Sequence, residues 1–454
     1  MIATMIANVR IVRNFPPLYI FTRDIMEKVA FGLAQTCILL GIRDWAHNSD
    51  WYKIFLPLDV LFLISFLMGW MTLYSIPSVA ALIVKAGLVG VDAHRPLNSN
   101  KPIPEAMGVV VGFAYVVGLT LFVPVVFTSN DSVRSLSMFL AALLSVNSMC
   151  FLGFVDNVLN LRWRHKFILP TIASLPVLFV YYSQGGSTYV VVPDIVHKVL
   201  GHEKFLAIEF GGFYYLFLSM LSVFGTNAIN ILAGINGLEV GQSIVLSLAM
   251  IANVLVQMNR HKWEEWQYNT ETVFSLYLLV PFVTTSLALW VFNKYPSRVF
   301  VGDTYCYLAG TVLAVSGILG HCSKTLLLFM LPQLVNFLYS LPQILRIIPC
   351  PRHRMPEYIS ESDSVGMSFT DWIDVASMDK RMITMIGSVT KVERRTNKIR
   401  FMNMTLINYT LWKLGKPVNE GKLVNVILFW QIVWIIVAFG MRYKAASLLY
   451  SLVE

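Results

Sequence analysis

Runs of about twenty mostly apolar residues recur along this chain, and a lipid bilayer takes roughly 20 helical residues to cross. They begin near Ile54, Ala106, Ser135, Phe167, Ile208, Leu238, Thr272, Tyr305, Lys324 and Leu423. A helix satisfies its backbone polar groups within its own segment, which is what a spanning element in lipid requires. The expected fold class is therefore an all-α polytopic membrane protein with about ten transmembrane helices. Composition agrees, because the chain is 56% hydrophobic and only 13% charged, against roughly a quarter charged in soluble domains. The formal charge of +9 is spread through short loops between apolar runs. Nucleic-acid binding needs basic residues clustered on a soluble face, so no nucleic-acid partner is expected.

Residues 1–53 read as an N-terminal extension. They carry Arg10, Arg13, Arg23 and Lys28 but lack the long apolar core and small-residue site of a cleavable signal peptide. The apolar stretch Val29 to Ile42 is short for a span. Residues 54–454 form one membrane domain. Within it, the mixed polar segment 351–422, with its charge run KVERRTNKIR, reads as a small cytosolic subdomain between spans nine and ten. Nearly every dense polar motif falls in alternate loops and hence on one side; NRHKWEEWQYN lies in a loop of the other set. Arg95, Lys101, Arg162, Arg164, Lys166, Lys294, Arg298, Arg352 and Arg354 lie close to span ends on the motif-rich side, which marks that side as cytosolic by the positive-inside rule. Cys37, Cys150, Cys306, Cys322 and Cys350 show no paired metal-ligand spacing and read as buried thiols.

Four loops carry the chemistry. FVDNVLNLRWRHK packs Asp156, Asn157, Asn160, Arg162, Arg164, His165 and Lys166 into one membrane edge. Cations beside an acid suit phosphate handling, although Arg162 and Arg164 equally suit a headgroup anchor beside Trp163. TNAINILAGINGLE places Asn227, Asn230 and Asn236 in an otherwise apolar run. Amides at that depth are costly unless they line a polar cavity, and Asn230 offers a neutral oxygen ligand for a hard cation. In YPSRVFVGDT, Asp303 follows Gly302 as a new apolar run begins. That position suits a helix cap, and also the receipt of an anionic ligand with its Mg²⁺. IIPCPRHR sets Arg352, His353 and Arg354 in a stiff cationic loop suited to a diphosphate or a sugar. A fifth loop, VGVDAHRPLNSNKPIPEAMG, puts Asp92 and Glu105 at two membrane entrances.

At these residues the chain closely resembles the eukaryotic UDP-N-acetylglucosamine dolichyl-phosphate N-acetylglucosamine-1-phosphate transferases. The resemblance runs in order from Ile54 to the C-terminus through FLGFVDNVLNLRWRHK, TNAINILAGINGLE, YPSRVFVGDT, GILGHCSKT, PQLVNFLYSLPQ, IIPCPRHR and NMTLIN. It implies UDP-N-acetylglucosamine as donor, dolichyl phosphate as acceptor and Mg²⁺ as cofactor, with Mn²⁺ as a substitute. It also implies an endoplasmic-reticulum membrane location, a cytosolic active site, a homodimer and inhibition by tunicamycin. Residue by residue, it implies that Asn230 and Asp303 hold the metal and that Asn236 and Phe300 lie at the uracil. Arg352, His353 and Arg354 would contact the β-phosphate and the sugar, Glu105 and Asp92 would lie near the nucleotide, and Asp156, Asn157, Asn160 and Lys166 would serve the reacting phosphates. The family pattern has two adjacent aspartates where this chain has Asp156 and Asn157. That departure supports a competing reading as a weakened or silent paralogue. A nucleotide-sugar or lipid transporter is the rival from another class, and it would place its site at mid-bilayer between repeats.

Overall fold

The computed structural model describes residues 49–94, 102–127, 133–162, 165–191, 207–260, 270–351 and 354–445. The N-terminal extension therefore lies almost wholly outside the described residues, as do Arg352 and His353 of the cationic loop. Long helices occupy the apolar runs: α1 (Ser49–Lys85), α2 (Gly108–Val126), α3 (Val133–Leu159), α4 (His165–Ser183), α5 (Gly212–Ile231), α6 (Leu238–Arg260), α7 (Thr270–Asn293) and α8 (Gly302–Leu319). Then come α9 (Ser323–Phe329) and α10 (Leu331–Ile344), which meet at a 64° bend. Pro332 in the first turn of α10 supplies no backbone donor to α9, which accounts for the break.

Seven of the described helices are long and apolar enough to cross a membrane, or eight if the α9–α10 pair counts as one span. Helix α2 is a shorter apolar helix. Helix α8 is the central post. Every residue from Thr304 to Leu319 is buried, enclosed by α2, α3, α5 and α7. Such a helix needs no lipid-compatible face, so it tolerates Thr304, Tyr305, Tyr307 and Thr311. At the crossing of α5 and α8, a Cβ on Gly225 would lie 2.8 Å from the Gly310 carbonyl oxygen. Only glycine lets the two backbones approach this closely, as in small-residue contacts between membrane helices.

The all-α expectation needs one correction, since short antiparallel strands accompany the helices. Strands β1 (Val89–Gly90) and β2 (Ile103–Pro104) pair across the α1–α2 connection, and β3 (Tyr189–Val191) and β4 (Ala207–Glu209) pair before α5. After α10, β5 (Glu357–Ile359) pairs with β6 (Ser364–Gly366). A three-stranded sheet in the order β7 (Ile373–Asp374), β9 (Lys398–Phe401), β8 (Val392–Arg395) packs with α11 (Lys380–Val389). Ile348, Ile383, Ile386, Ile399, Phe401 and Met404 give this unit its own small core. Strands of two to four residues are too short to show an apolar period, so the sequence concealed them. Two further helices, α12 (Leu406–Leu414) and α13 (Glu420–Gly440), complete the described chain before a last turn. A second correction concerns Cys350. It is exposed, held between Pro349 and Pro351 beyond the end of α10, whereas Cys150, Cys306 and Cys322 are buried as expected. Cys37 lies outside the described residues.

Candidate functional site

A cavity of about 430 Å³ opens where the α5–α6 connection, the start of α8 and the α1–α2 loop converge, a volume typical of small-molecule sites. Asn230, Asn236, Phe300 and Asp303 line it, together with Asp92, Glu105 and Arg354. Loops far apart in the chain are thus gathered at one end of the helices, where the sequence placed its polar motifs.

Asp303 is the hub of one wall. Gly302 adopts φ +68 as the chain enters α8, and a Cβ there would collide with Asn157 and Ala106, so the turn that presents Asp303 requires glycine. Asn230, one residue before the end of α5, donates Nδ2–H to Asp303 Oδ1 at 2.6 Å. Lys166, in the first turn of α4, brings Nζ to 3.4 Å from Asp303 Oδ2 and 2.8 Å from Asp156 Oδ2. One ammonium therefore serves two carboxylates and leaves the trio with residual negative charge. An amide oxygen and a carboxylate beside that charge are donors fit for a hard divalent cation, so the residues present suit Mg²⁺.

Asp156 sits behind Lys166, with a second set of partners of its own. Asp156 is 2% exposed. Its Oδ1 accepts from Leu161 N at 3.0 Å, and its Oδ2 accepts from the Tyr307 hydroxyl at 3.1 Å as well as facing Lys166. Donors thus occupy both Asp156 oxygens, and the carboxylate holds its lysine in place. Asn157 looks the other way. Its Oδ1 accepts from Thr304 N at 3.0 Å and the Thr304 hydroxyl at 2.7 Å, capping the first turn of α8 from a neighbouring helix. Asn160 is exposed, has φ +49, and donates its backbone N–H to Asp156 O. That is a helix-ending left-handed turn, for which asparagine is well suited.

On the opposite wall, Phe300 is strapped to the α1–α2 loop by its backbone: its N–H donates to Pro104 O and its carbonyl accepts from Met107 N. The Phe300 ring and the Glu105 carboxylate both approach Gly90. Asn408 donates Nδ2–H to Arg354 O at 3.1 Å, fixing the backbone of the cationic loop. Burial lowers the Arg354 guanidinium pKa, yet arginine stays charged. Its Nη1 is buried without a hydrogen-bond partner among the described residues. An orphaned donor of this kind on a cavity wall suits an anionic ligand.

Sequence reasoning missed one node. Asn236 donates its backbone N–H to Glu420 Oε1 at 2.6 Å and its Nδ2–H groups to Asp92 Oδ2 at 2.9 Å and Glu420 Oε2 at 3.4 Å. His94 Nδ1 lies 3.1 Å from Glu420 Oε1, and His94 Nε2 lies 3.2 Å from Pro356 O. Glu420 was hidden because it opens the last apolar run, 184 residues from Asn236, with no local pattern linking the two. Burial lowers the His94 pKa, but Glu420, Asp92 and the Pro356 carbonyl together outweigh that effect, and the net direction is upward from 6.5.

Comparison with known proteins gives a consistent picture. Residues 135–321 match the family described as glycosyl transferase family 4. A UDP-N-acetylglucosamine–dolichyl-phosphate N-acetylglucosaminephosphotransferase of Dictyostelium discoideum is 41% identical over 392 residues, covering 84% of this chain and 87% of that protein. The proteins of the same name from Saccharomyces cerevisiae and Schizosaccharomyces pombe are each 37% identical, covering 83% of this chain and 89% of their own.

The His94 node yields a pH prediction. A histidine whose folded pKa is raised stabilises the fold fully below its unfolded value near 6.5, and that contribution is lost as pH rises through the folded value. Thermal melts in detergent are expected to show stability declining from neutral into mildly alkaline pH. His94→Gln is expected to flatten that part of the profile.

Proposed function

Because this chain belongs to the UDP-N-acetylglucosamine–dolichyl-phosphate N-acetylglucosaminephosphotransferase family, we propose that it transfers N-acetylglucosamine 1-phosphate from UDP-N-acetylglucosamine to dolichyl phosphate. A phosphate oxygen of the acceptor attacks the β-phosphorus of the donor. The bond from that phosphorus to the bridging oxygen breaks, and UMP leaves with both bonding electrons. The product is N-acetylglucosaminyl-diphosphodolichol. The observation that carries this reading is the Lys166 bridge between buried Asp156 and cavity-lining Asp303, with the orphaned Arg354 donor on the same cavity.

The acceptor phosphate is already an anion near neutral pH and needs no strong base. Catalysis then rests on alignment and on neutralising phosphate charge. In this reading Lys166 neutralises the transferring group and Asp156 keeps it aimed. Asn230 and Asp303 would hold Mg²⁺, which when bound offsets the charge of the donor diphosphate, and Mn²⁺ would substitute. Arg354, with Arg352 and His353, meets the β-phosphate and the sugar, while Asn236 and Phe300 take the uracil and Glu105 and Asp92 lie near the nucleotide. The dolichyl tail remains in lipid while its phosphate meets a soluble donor, a physical reason for a site at helix ends.

We extend the eight apolar spans to ten by counting α2 and α8. In that arrangement residues 351–422 and the cavity face the cytosol of the endoplasmic reticulum. A homodimer and competition by tunicamycin belong to the same reading. The polar residues of the cavity gather at one end of the helices, unlike the mid-bilayer site a transporter needs.

Transfer from radiolabelled UDP-N-acetylglucosamine to dolichyl phosphate, with and without Mg²⁺, tests the reading directly. Asp303→Ala is expected to lower turnover about 10²-fold or more, the usual effect of removing a transition-state electrostatic contact, while a cooperative detergent melt shows that the variant still folds. Retention of a large share of wild-type activity contradicts the role of Asp303.

Asn157 tests the competing silent-paralogue reading. Its oxygen already caps α8, a task aspartate performs equally, so a second carboxylate adds charge without removing that contact. Asn157→Asp is expected to raise kcat with little change in donor KM, measured by paired steady-state kinetics. An unchanged or lower kcat means that the position does not limit turnover.

A further inference from the structure

Asn236 is 7% exposed and lines the cavity. Which end of its amide meets a ligand is decided by its neighbours. Both side chains that reach its amide nitrogen are carboxylates, Asp92 at 2.9 Å and Glu420 at 3.4 Å. Ionised carboxylates only accept hydrogen bonds, so the amide NH₂ must face them and cannot turn toward the cavity. Glu420 also accepts the Asn236 backbone N–H at 2.6 Å, so backbone and side chain are held by one group. His94 in turn grips Glu420 at 3.1 Å and the Pro356 carbonyl at 3.2 Å, which ties the node to the loop carrying Arg354. Among the described residues no donor reaches Asn236 Oδ1, and that oxygen is the end of the amide left for the cavity.

We propose that Glu420 and Asp92 are positioning residues that fix the Asn236 amide with its oxygen toward the ligand, so that the site accepts a pyrimidine with an imide N–H and rejects one without it. The inference rests on the proposed function, and it adds the basis on which one base is chosen over another. Uracil carries a hydrogen on N3 and can donate to a fixed carbonyl oxygen. Cytosine presents a lone pair at N3, which would face the Oδ1 lone pairs. A freely rotating asparagine would discriminate poorly, since turning the amide offers its NH₂ to cytosine instead. Two carboxylates remove that option. A polar site that cannot rearrange rejects the wrong hydrogen-bond pattern strongly, because its buried groups are left unpaired.

The experiment is competition against radiolabelled UDP-N-acetylglucosamine by UDP and by CDP, on the purified full-length wild type, Glu420→Gln and Asp92→Asn. Each substitution is nearly isosteric and introduces an NH₂ able to hold Asn236 Oδ1, which frees the Asn236 amide to turn. In the wild type UDP is expected to compete far better than CDP. In each variant that preference is expected to shrink about tenfold or more, the effect of one hydrogen bond lost and one gained. UDP weakens while CDP weakens less or improves, and the donor KM rises by a larger factor than kcat falls. A purely structural role predicts a different pattern, with UDP and CDP weakened equally and kcat lost with KM, and that result overturns the proposal. If Glu420→Gln fails to fold in a thermal melt, Asp92→Asn carries the same expectation. Wild-type protein that neither transfers the sugar phosphate nor prefers UDP would overturn the proposed function and the inference together. A wild type that prefers UDP beside variants that keep the preference overturns the inference alone.

Discussion

The Lys166 ammonium, shared between Asp156 and Asp303, is the interaction on which the rest of the site depends. It joins the end of α3, the start of α4 and the start of α8. Asp156 is buried, and a buried charge is tolerated only when paired and hydrogen-bonded. Tyr307 and the Leu161 N–H complete the shell of Asp156. Removal of Lys166 would leave the buried Asp156 carboxylate without its cation, so that pair is held by the penalty of disassembly as much as by attraction. The same bridge sets a cation behind Asp303, on the wall of a cavity that Arg354 also lines with an unpartnered nitrogen.

Around this bridge the scaffold is organised by burial. Helix α8 is enclosed from Thr304 onward, so the residues at its start inherit a rigid support. Asn157 caps that start from α3, and the backbone of Phe300 ties the segment entering α8 to the α1–α2 loop. A second polar node, built from Asp92, His94, Asn236 and Glu420, closes the far side and links the last helix to the cavity. In the proposed reaction the two nodes would divide the labour, one aiming charge at phosphate and the other fixing hydrogen-bond direction.

Much of this was legible in the chain. The apolar runs announced helices α1 to α10 and α13, because twenty-residue hydrophobic segments carry their signal locally. Asp303, Asn230 and Lys166 were legible because polar residues in an apolar run demand an explanation. What stayed hidden depended on distant pairing. The short strands have no period, Glu420 stands at the start of what reads as a plain span, and His94 had no visible partner until Pro356 and Glu420 were brought to it. The bend between α9 and α10 was read as one span because composition does not register a missing backbone donor. Asn157 was judged by its charge alone, whereas its position beside Thr304 gives its oxygen a structural task that either amide or carboxylate fulfils.

The central claim is that Asp156 acts through Lys166 rather than on substrate. A double-mutant cycle in turnover isolates that coupling, using Asp156→Asn, Lys166→Gln and the pair together in the dolichyl-phosphate transfer assay. If Asp156 serves only to aim the lysine, its substitution loses its effect once Lys166 is gone, and the double variant turns over no more slowly than Lys166→Gln alone. Losses that multiply across the two substitutions would contradict the account and give Asp156 an independent role in the reaction.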